Sequence, residues 1–67
     1  MLDKKVIEDS LRYHEWNLAR LINERSEMLD KIKVGKASKV DLDRIENAIK
    51  QVKEIVHNYK TLGRAYK

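Results

Sequence analysis

The stretch from Ile7 to Ile32 constrains this chain most, because its apolar residues follow the three- and four-residue steps of an α-helix. The chain contains no proline, and its first glycine is Gly35, so no helix-breaking residue falls within this stretch. A helix this long gains too little from intrinsic propensity to be stable alone. We therefore expect one long amphipathic helix that packs its apolar row against another helix.

Capping residues predict where this helix begins and ends and where a second helix begins. Asp3 is placed to accept hydrogen bonds from the first free amides, and Gly35 suits the left-handed conformation that ends many helices. Ser38 and Asp41 resemble a capping box, with aspartate in place of the usual glutamate. The positive end of the second helix dipole also favours a carboxylate at Asp41.

These signals predict an all-α fold, an antiparallel hairpin of two helices. We expect the helices at about 3–34 and about 39–62 or longer, with a short loop at 35–38. A loop of this length turns the second helix back along the first. We treat residues 1–67 as a single helical-hairpin domain. Gly63 leaves two alternatives open, a helix that stops there and a helix that continues through a weak point.

The register of the hairpin follows from folding the chain at that loop, which opposes residues whose numbers add to about 73. Apolar residues of the two helices then meet along most of the hairpin. The expected pairs are Leu21 and Val52, Leu18 and Ile55, Met28 and Ile45, Arg25 and Ala48, and His14 and Tyr59.

Self-association is expected because a chain of 67 residues rarely builds a sufficient core, and the absence of cysteine excludes disulfides. The second helix has a heptad seam widened by neighbouring apolar residues, which suits a bundle of several helices better than a two-stranded coiled coil. We predict a homo-oligomer, with a dimer favoured, in which hairpins form a four-helix bundle or a larger helical assembly. The predicted oligomer core comprises Leu11, Leu18, Leu21, Met28, Ile45, Ile49, Val52, Val56 and Tyr59.

A second apolar row lies on nearly the opposite side of the first helix, where the second helix does not reach. This row consists of Leu2, Val6, Tyr13 and Trp16. Tyr13, Trp16 and Arg20 together have the composition of a protein-binding hot spot. The alternative is that the two rings complete the oligomer core, with their polar groups at its rim. Both alternatives place the rings at an interface.

The positive charge of the chain is concentrated in its last quarter. Residues 1–49 contain ten Lys or Arg and ten Asp or Glu, so the net charge of +4 lies in residues 50–67. The basic residues there follow helical steps and form a basic stripe, which predicts binding to phosphate backbones or to an acidic protein. Binding to RNA or DNA backbones is the alternative function. A solvated face stabilised by the helix dipole is the other explanation. The basic stripe comprises Lys50, Lys53, His57, Lys60, Arg64 and Lys67.

No catalytic or metal-binding motif is found in the sequence. His14 and His57 have no companion ligand at a metal-binding spacing, and the chain has no glycine-rich phosphate loop. The serines lack any recognisable nucleophile context. We therefore expect a non-enzymatic protein without catalytic residues, metal or cofactor.

About half of the chain resembles the first helix and the start of the second helix of the all-helical chorismate mutases. In that family an arginine and a lysine so placed bind a dicarboxylate substrate in a dimer, so the resemblance implies Arg25 and Lys36 as substrate ligands. The chain departs from the family where Glu8 stands near its N-terminal arginine, and where Ile45 is nearest its second-helix glutamate. The resembling residues are Leu18, Leu21, Ile22, Glu24, Arg25, Lys36, Asp41, Asp43 and Arg44.

The size and two-helix layout are also similar to a family of small ribosomal hairpin proteins. The shared residues are the aliphatic positions Ile45, Ile49, Val52 and Ile55. The first helix and the loop carry few of the basic residues that such a ribosomal hairpin has.

We predict that the chain is a small non-enzymatic interaction or regulatory module that binds another protein through an oligomeric helical bundle. A nucleic-acid-binding hairpin is the alternative, and a chorismate-mutase-like enzyme fragment is the third. No apolar run approaches the roughly 20 residues needed to cross a bilayer, so we expect a cytoplasmic protein without a membrane partner.

Overall fold

The computed structural model describes residues 3–65, which form an all-α hairpin of two antiparallel helices. Helix α1 spans Lys4–Lys33 and helix α2 spans Lys39–Ala65. The hairpin is a rod of 49 × 15 × 14 Å. The predicted fold class is confirmed. Neither described helix is both long and apolar enough to cross a membrane.

Both helices begin at the capping residues that the sequence indicates. The Asp3 carboxylate accepts a hydrogen bond from the Val6 amide at 2.9 Å. At the start of α2, the Asp41 carboxylate accepts from the Ser38 amide at 3.0 Å and from the Ser38 hydroxyl at 3.2 Å. The bond from the Ser38 backbone, followed by that from its hydroxyl, lowers the pKa of Asp41 below its ordinary value of 3.8.

A Schellman motif ends α1, because Gly35 takes the left-handed conformation with a φ of +75°. The Gly35 amide donates to the Ile32 carbonyl at 3.1 Å, and the Lys36 amide donates to the Lys31 carbonyl at 2.8 Å. These two bonds satisfy carbonyls that the helix itself leaves without partners. The chain therefore reverses direction at the predicted loop.

The core of the hairpin is a single row of apolar side chains between the two helices. Leu21 of α1 packs with Ile49, Val52 and Val56 of α2, and all four are buried. The partly buried residues packed against this cluster are Leu11, Leu18, Ile45 and Ala48. Seven of the nine residues predicted as an oligomer core lie in or against this cluster, and the other two, Met28 and Tyr59, are half-buried. Their burial in an oligomer stays a prediction.

Ile7 is the most buried side chain of the described residues, with 1% of its surface exposed, although it was not in the predicted core. A Cβ atom added at Gly63 would lie 3.8 Å from Ile7 Cγ2, so the two residues face each other at the open end of the hairpin. Helix α2 passes through Gly63 and continues to Ala65. Of the two alternatives at Gly63, the continuous helix is the one observed.

The predicted register agrees with the observed contacts at some positions and differs at others. His14 meets Tyr59 as predicted. Leu18 packs against the buried cluster, whereas its predicted partner Ile55 lies outside that cluster and is 36% exposed. Ile55 lies to one side of the α2 core row, because at about 100° per residue it is offset from Val52 and Val56.

Replacing each glycine by alanine is expected to have opposite effects on stability. Gly35→Ala lowers the free energy of unfolding by about 1–2 kcal/mol, because an L-residue is strained at positive φ. An added Cβ there meets nothing within 4 Å, so the loss reports the backbone alone. Gly63→Ala raises the free energy of unfolding by about 0.5–1 kcal/mol, since alanine stabilises a helix interior. Urea unfolding followed by circular dichroism measures both changes in the free energy of unfolding. Two changes of the same sign would contradict the backbone conformations assigned to Gly35 and Gly63.

Asp41→Asn is expected to lower the melting temperature at neutral pH. Asparagine has the shape of aspartate but lacks the negative charge that the Ser38 hydrogen bonds stabilise. The pKa of Asp41 is lowered in the folded state, so its charge stabilises the fold above the ordinary value of 3.8. That contribution is lost as pH falls through the lower, folded-state pKa. Thermal melts at a series of pH values should therefore show the two proteins converging below pH 3.8. A constant difference at all pH values would assign the effect to geometry instead of charge.

Candidate interaction surfaces

An aromatic surface lies on the side of α1 that faces away from α2. Tyr13 and Trp16 are 62% and 65% exposed, and Val6 beside them is 44% exposed. At about 100° per residue, Trp16 points almost directly away from the row that packs on α2. We call Val6, Tyr13 and Trp16 the outer face of α1. Leu2, predicted to extend this row, lies outside the described residues.

His14 connects the outer face to the second helix. The rings of His14 and Tyr59 are stacked, with centroids 5.4 Å apart and an angle of 23° between their planes. The Tyr13 ring meets the His14 ring edge-on, at 5.3 Å and 71°. Tyr13 therefore contacts the His14 ring, which itself packs against Tyr59 of α2. The sequence placed His14 opposite Tyr59, and what it missed is the adjacent contact to Tyr13.

Arg20, the third predicted binding residue, is already engaged within the chain. Its guanidinium donates to the Glu24 carboxylate at 2.6 Å and to the Asn17 side-chain carbonyl at 2.6 Å. The ion pair is well exposed on both sides, so it contributes no more than about 0.5 kcal/mol to stability. Its effect is to hold the guanidinium in one orientation beside Trp16, one helical turn away. The Arg20 guanidinium is thus held in one position as a hydrogen-bond donor, and the Glu24 carboxylate largely compensates its charge.

Two grooves lie along the side of the hairpin that carries the basic stripe. The larger one, of about 720 Å³, lies over Ile22 and Ile49 and is bordered by Lys50, Lys53 and His57. The smaller one, of about 340 Å³, lies over Ile7, Leu11 and Gly63 and is bordered by Lys60 and Arg64. The other residues that line the larger groove are Arg25, Glu46, Glu54 and Asn58, and those that line the smaller groove are Glu8 and Tyr59.

The described members of the basic stripe are all exposed, and they border apolar grooves, which the sequence did not indicate. Within residues 3–65, the two ion pairs are those of Arg20 with Glu24 and of Arg25 with Glu46, so neither involves the stripe. Lys67, the last predicted member of the stripe, lies outside the described residues. Binding of this stripe to nucleic acid stays a prediction.

Arg25, whose stem was expected beside Ala48, donates to the Glu46 carboxylate at 3.3 Å. Both side chains are more than two-fifths exposed, so this pair adds little to stability. Lys36, which the chorismate mutase resemblance paired with Arg25, lies in the loop after α1. Among the described residues, no group of three or more His, Asp or Glu is placed to hold a metal ion.

Comparison with known protein families, curated protein sequences and solved structures gives no match to this chain. The function proposed below therefore depends on the surfaces themselves.

The stacked pair of His14 and Tyr59 is expected to couple the two helices. His14→Ala and Tyr59→Leu should each destabilise the hairpin, and a double-mutant cycle should give a coupling energy of about 0.5–1.5 kcal/mol. Chemical unfolding of the four proteins measures this energy. Trp16→Ala is the matched aromatic control, and it should change stability by less than about 0.5 kcal/mol because its ring is mostly exposed. If the effects of His14→Ala and Tyr59→Leu on the free energy of unfolding were additive, the two rings would not interact.

Proposed function

We propose that this chain is a non-enzymatic helical interaction module that binds a partner protein through the outer face of α1. The observation that carries the proposal is the exposure of Tyr13 and Trp16, at 62% and 65%, on a face that α2 leaves uncovered. Tyrosine, tryptophan and arginine are the residue types enriched at protein-binding hot spots. Arg20 lies at the edge of the same face, oriented by Glu24 and Asn17.

The outer face is favourable for binding because part of its order already exists in the free protein. The Tyr13 ring contacts His14, which is stacked on Tyr59, so association has less side-chain freedom to restrict than at an isolated ring. Burying the exposed parts of both rings, about two-thirds of each, contributes about 2–4 kcal/mol at about 1.5–3 kcal/mol for a fully buried large side chain. Association itself costs at least about 4 kcal/mol. The two rings therefore act as the anchor of a larger interface.

Self-association of the hairpin is the second part of the proposal. The chain exposes 5442 Å², which is about 1,000 Å² more than the roughly 4,450 Å² expected of a monomeric protein of this mass. Each partner in a stable complex buries about 800 Å². We assign the self-association to the side of α2 that carries Ile55 and Leu62. This side is opposite the basic stripe, where two copies would repel each other, and it leaves Trp16 free.

Trp16→Ala is expected to abolish retention of the partner, with a loss of at least about 2 kcal/mol in binding free energy, typical of a hot spot. The measurement is affinity capture from the source cell with tagged wild type, Trp16→Ala and Val40→Ala. Val40 is a similarly exposed apolar residue at the start of α2, so its replacement controls for general surface hydrophobicity. The partner should be retained by wild type and Val40→Ala and lost with Trp16→Ala.

Light scattering of the same three proteins separates a foreign partner from a sister subunit. We expect all three to have the mass of a dimer or larger assembly, against 8.0 kDa for the monomer. A fall of Trp16→Ala alone to the monomer mass would place Trp16 in the subunit interface and contradict the proposal. A monomeric, well-folded wild type at micromolar concentration would overturn its self-association part.

A further inference from the structure

We infer that the two grooves beside the basic stripe form one binding site for an acidic amphipathic helix of a partner protein. This helix would lie along the hairpin as a third helix, in contact with both α1 and α2. The site is separate from the outer face of α1, because at about 100° per residue the grooves and Trp16 lie on different sides of the hairpin. The inference therefore does not depend on the role of Tyr13 and Trp16.

The apolar part of the site consists of one exposed side chain, Ile22, and the buried side chains Ile49 and Ile7. Ile49 is buried and forms the base of the larger groove, whereas Ile22 beside it is 49% exposed. In the smaller groove, the buried Ile7 faces Gly63, which has no side chain. Ile22 is therefore the exposed apolar anchor of this surface. An apolar row on a partner helix would remove it from water.

The charged border of the site determines the kind of helix that fits. The lining residues of the two grooves carry five Lys or Arg against three Glu, and one of the five, Arg25, is paired with Glu46. Lys50, Lys53, Lys60 and Arg64 have no carboxylate within 4.0 Å among the described residues. A partner helix with Asp or Glu on both sides of its apolar row would complement these cations.

The length of the site matches a helix of moderate size. The lining residues on α2 run from Glu46 to Arg64, which at about 1.5 Å per residue is about 27 Å. A partner helix of about 18 residues, or five turns, would cover this distance. Helix-in-groove recognition uses anchors at three- and four-residue steps, so such a helix presents about five apolar positions to the grooves.

Other occupants use only part of this surface. A nucleic-acid backbone would contact the cations but would leave Ile22 exposed. Between Lys50 and Arg64, the rings able to stack on bases are the single imidazole of His57 and the half-buried Tyr59, which is few for a base-stacking surface. A second copy related by a two-fold axis would bring two basic stripes together, which like charges disfavour. The combination of an apolar base and a cationic border favours the acidic amphipathic helix.

The test uses a labelled synthetic peptide of about 18 residues, with leucine at the core positions of a helix and glutamate on both flanks. Its control is a peptide of the same composition with the leucines moved off one face. Fluorescence anisotropy should show the amphipathic peptide binding at least about tenfold more tightly than the control. Circular dichroism should show that it gains helix on binding. Equal binding of both peptides, or no binding at micromolar protein, would overturn the inference.

Three substitutions then locate the bound peptide. Ile22→Gln and Lys53→Glu should each weaken binding by about tenfold, because one removes the apolar anchor and the other reverses a bordering charge. Lys5→Glu makes the same change in net charge on the outer side of α1 and should leave binding unchanged. Trp16→Ala should also leave it unchanged, which separates this site from the proposed function.

Single-stranded RNA of comparable length provides the final comparison. The inference holds if the RNA binds more weakly than the amphipathic peptide and responds to Lys53→Glu but not to Ile22→Gln. It is wrong if RNA binds more tightly than the peptide, or if Ile22→Gln leaves peptide binding unchanged, because the surface would then recognise negative charge alone.

Discussion

The packing of Leu21 against Ile49, Val52 and Val56 is the contact on which the rest of this structure depends. It joins the two helices along one narrow row, since each helix has only one neighbour. The caps at Asp3, Gly35 and Ser38 set where the helices begin and end, but they do not hold them together. Because the row is narrow, the hairpin has no side chain that is both charged and buried among its described residues. Every charged side chain of the described residues is therefore at least partly exposed, and so are Tyr13 and Trp16.

This single-row core divides the surface of the hairpin into unlike sides. The outer face of α1 carries Tyr13 and Trp16, one side carries the basic stripe with its grooves, and the other carries Ile55. Each side has a different balance of apolar area and charge. A small chain with one buried row therefore exposes several surfaces of different chemistry. This division supports the proposal of a module that connects proteins.

Much of the fold follows from local physical chemistry that the sequence displays. The helix ends at Asp3, Gly35 and Ser38 depend on interactions within four residues of each cap, so they could be predicted with accuracy. The exposure of Trp16 could also be predicted, since helical periodicity places it opposite the core row. The contact between His14 and Tyr59 was predicted because both lie on the core rows at matching distances from the loop.

Other features depend on the relative placement of the two helices to within a few ångströms. The partners of Arg20 and Arg25 were not predicted, because a long polar side chain can reach several neighbours with similar interaction energies. The grooves beside Ile22 were not predicted either, since a groove is the space left between two helices and belongs to neither sequence segment. Gly63 is compatible with a helix end or a helix interior. In the structure it lies inside α2 and faces Ile7.

The sequence by itself thus determined the two helices, their ends, their antiparallel arrangement and the uncovered position of Tyr13 and Trp16, because periodicity and capping act over short distances. Only the tertiary structure decided that Ile22 borders a cationic groove and that Tyr13 is supported through His14 by Tyr59. These features arise where side chains from separate helices meet, and the distance between two helices is set by the packing of the whole core row.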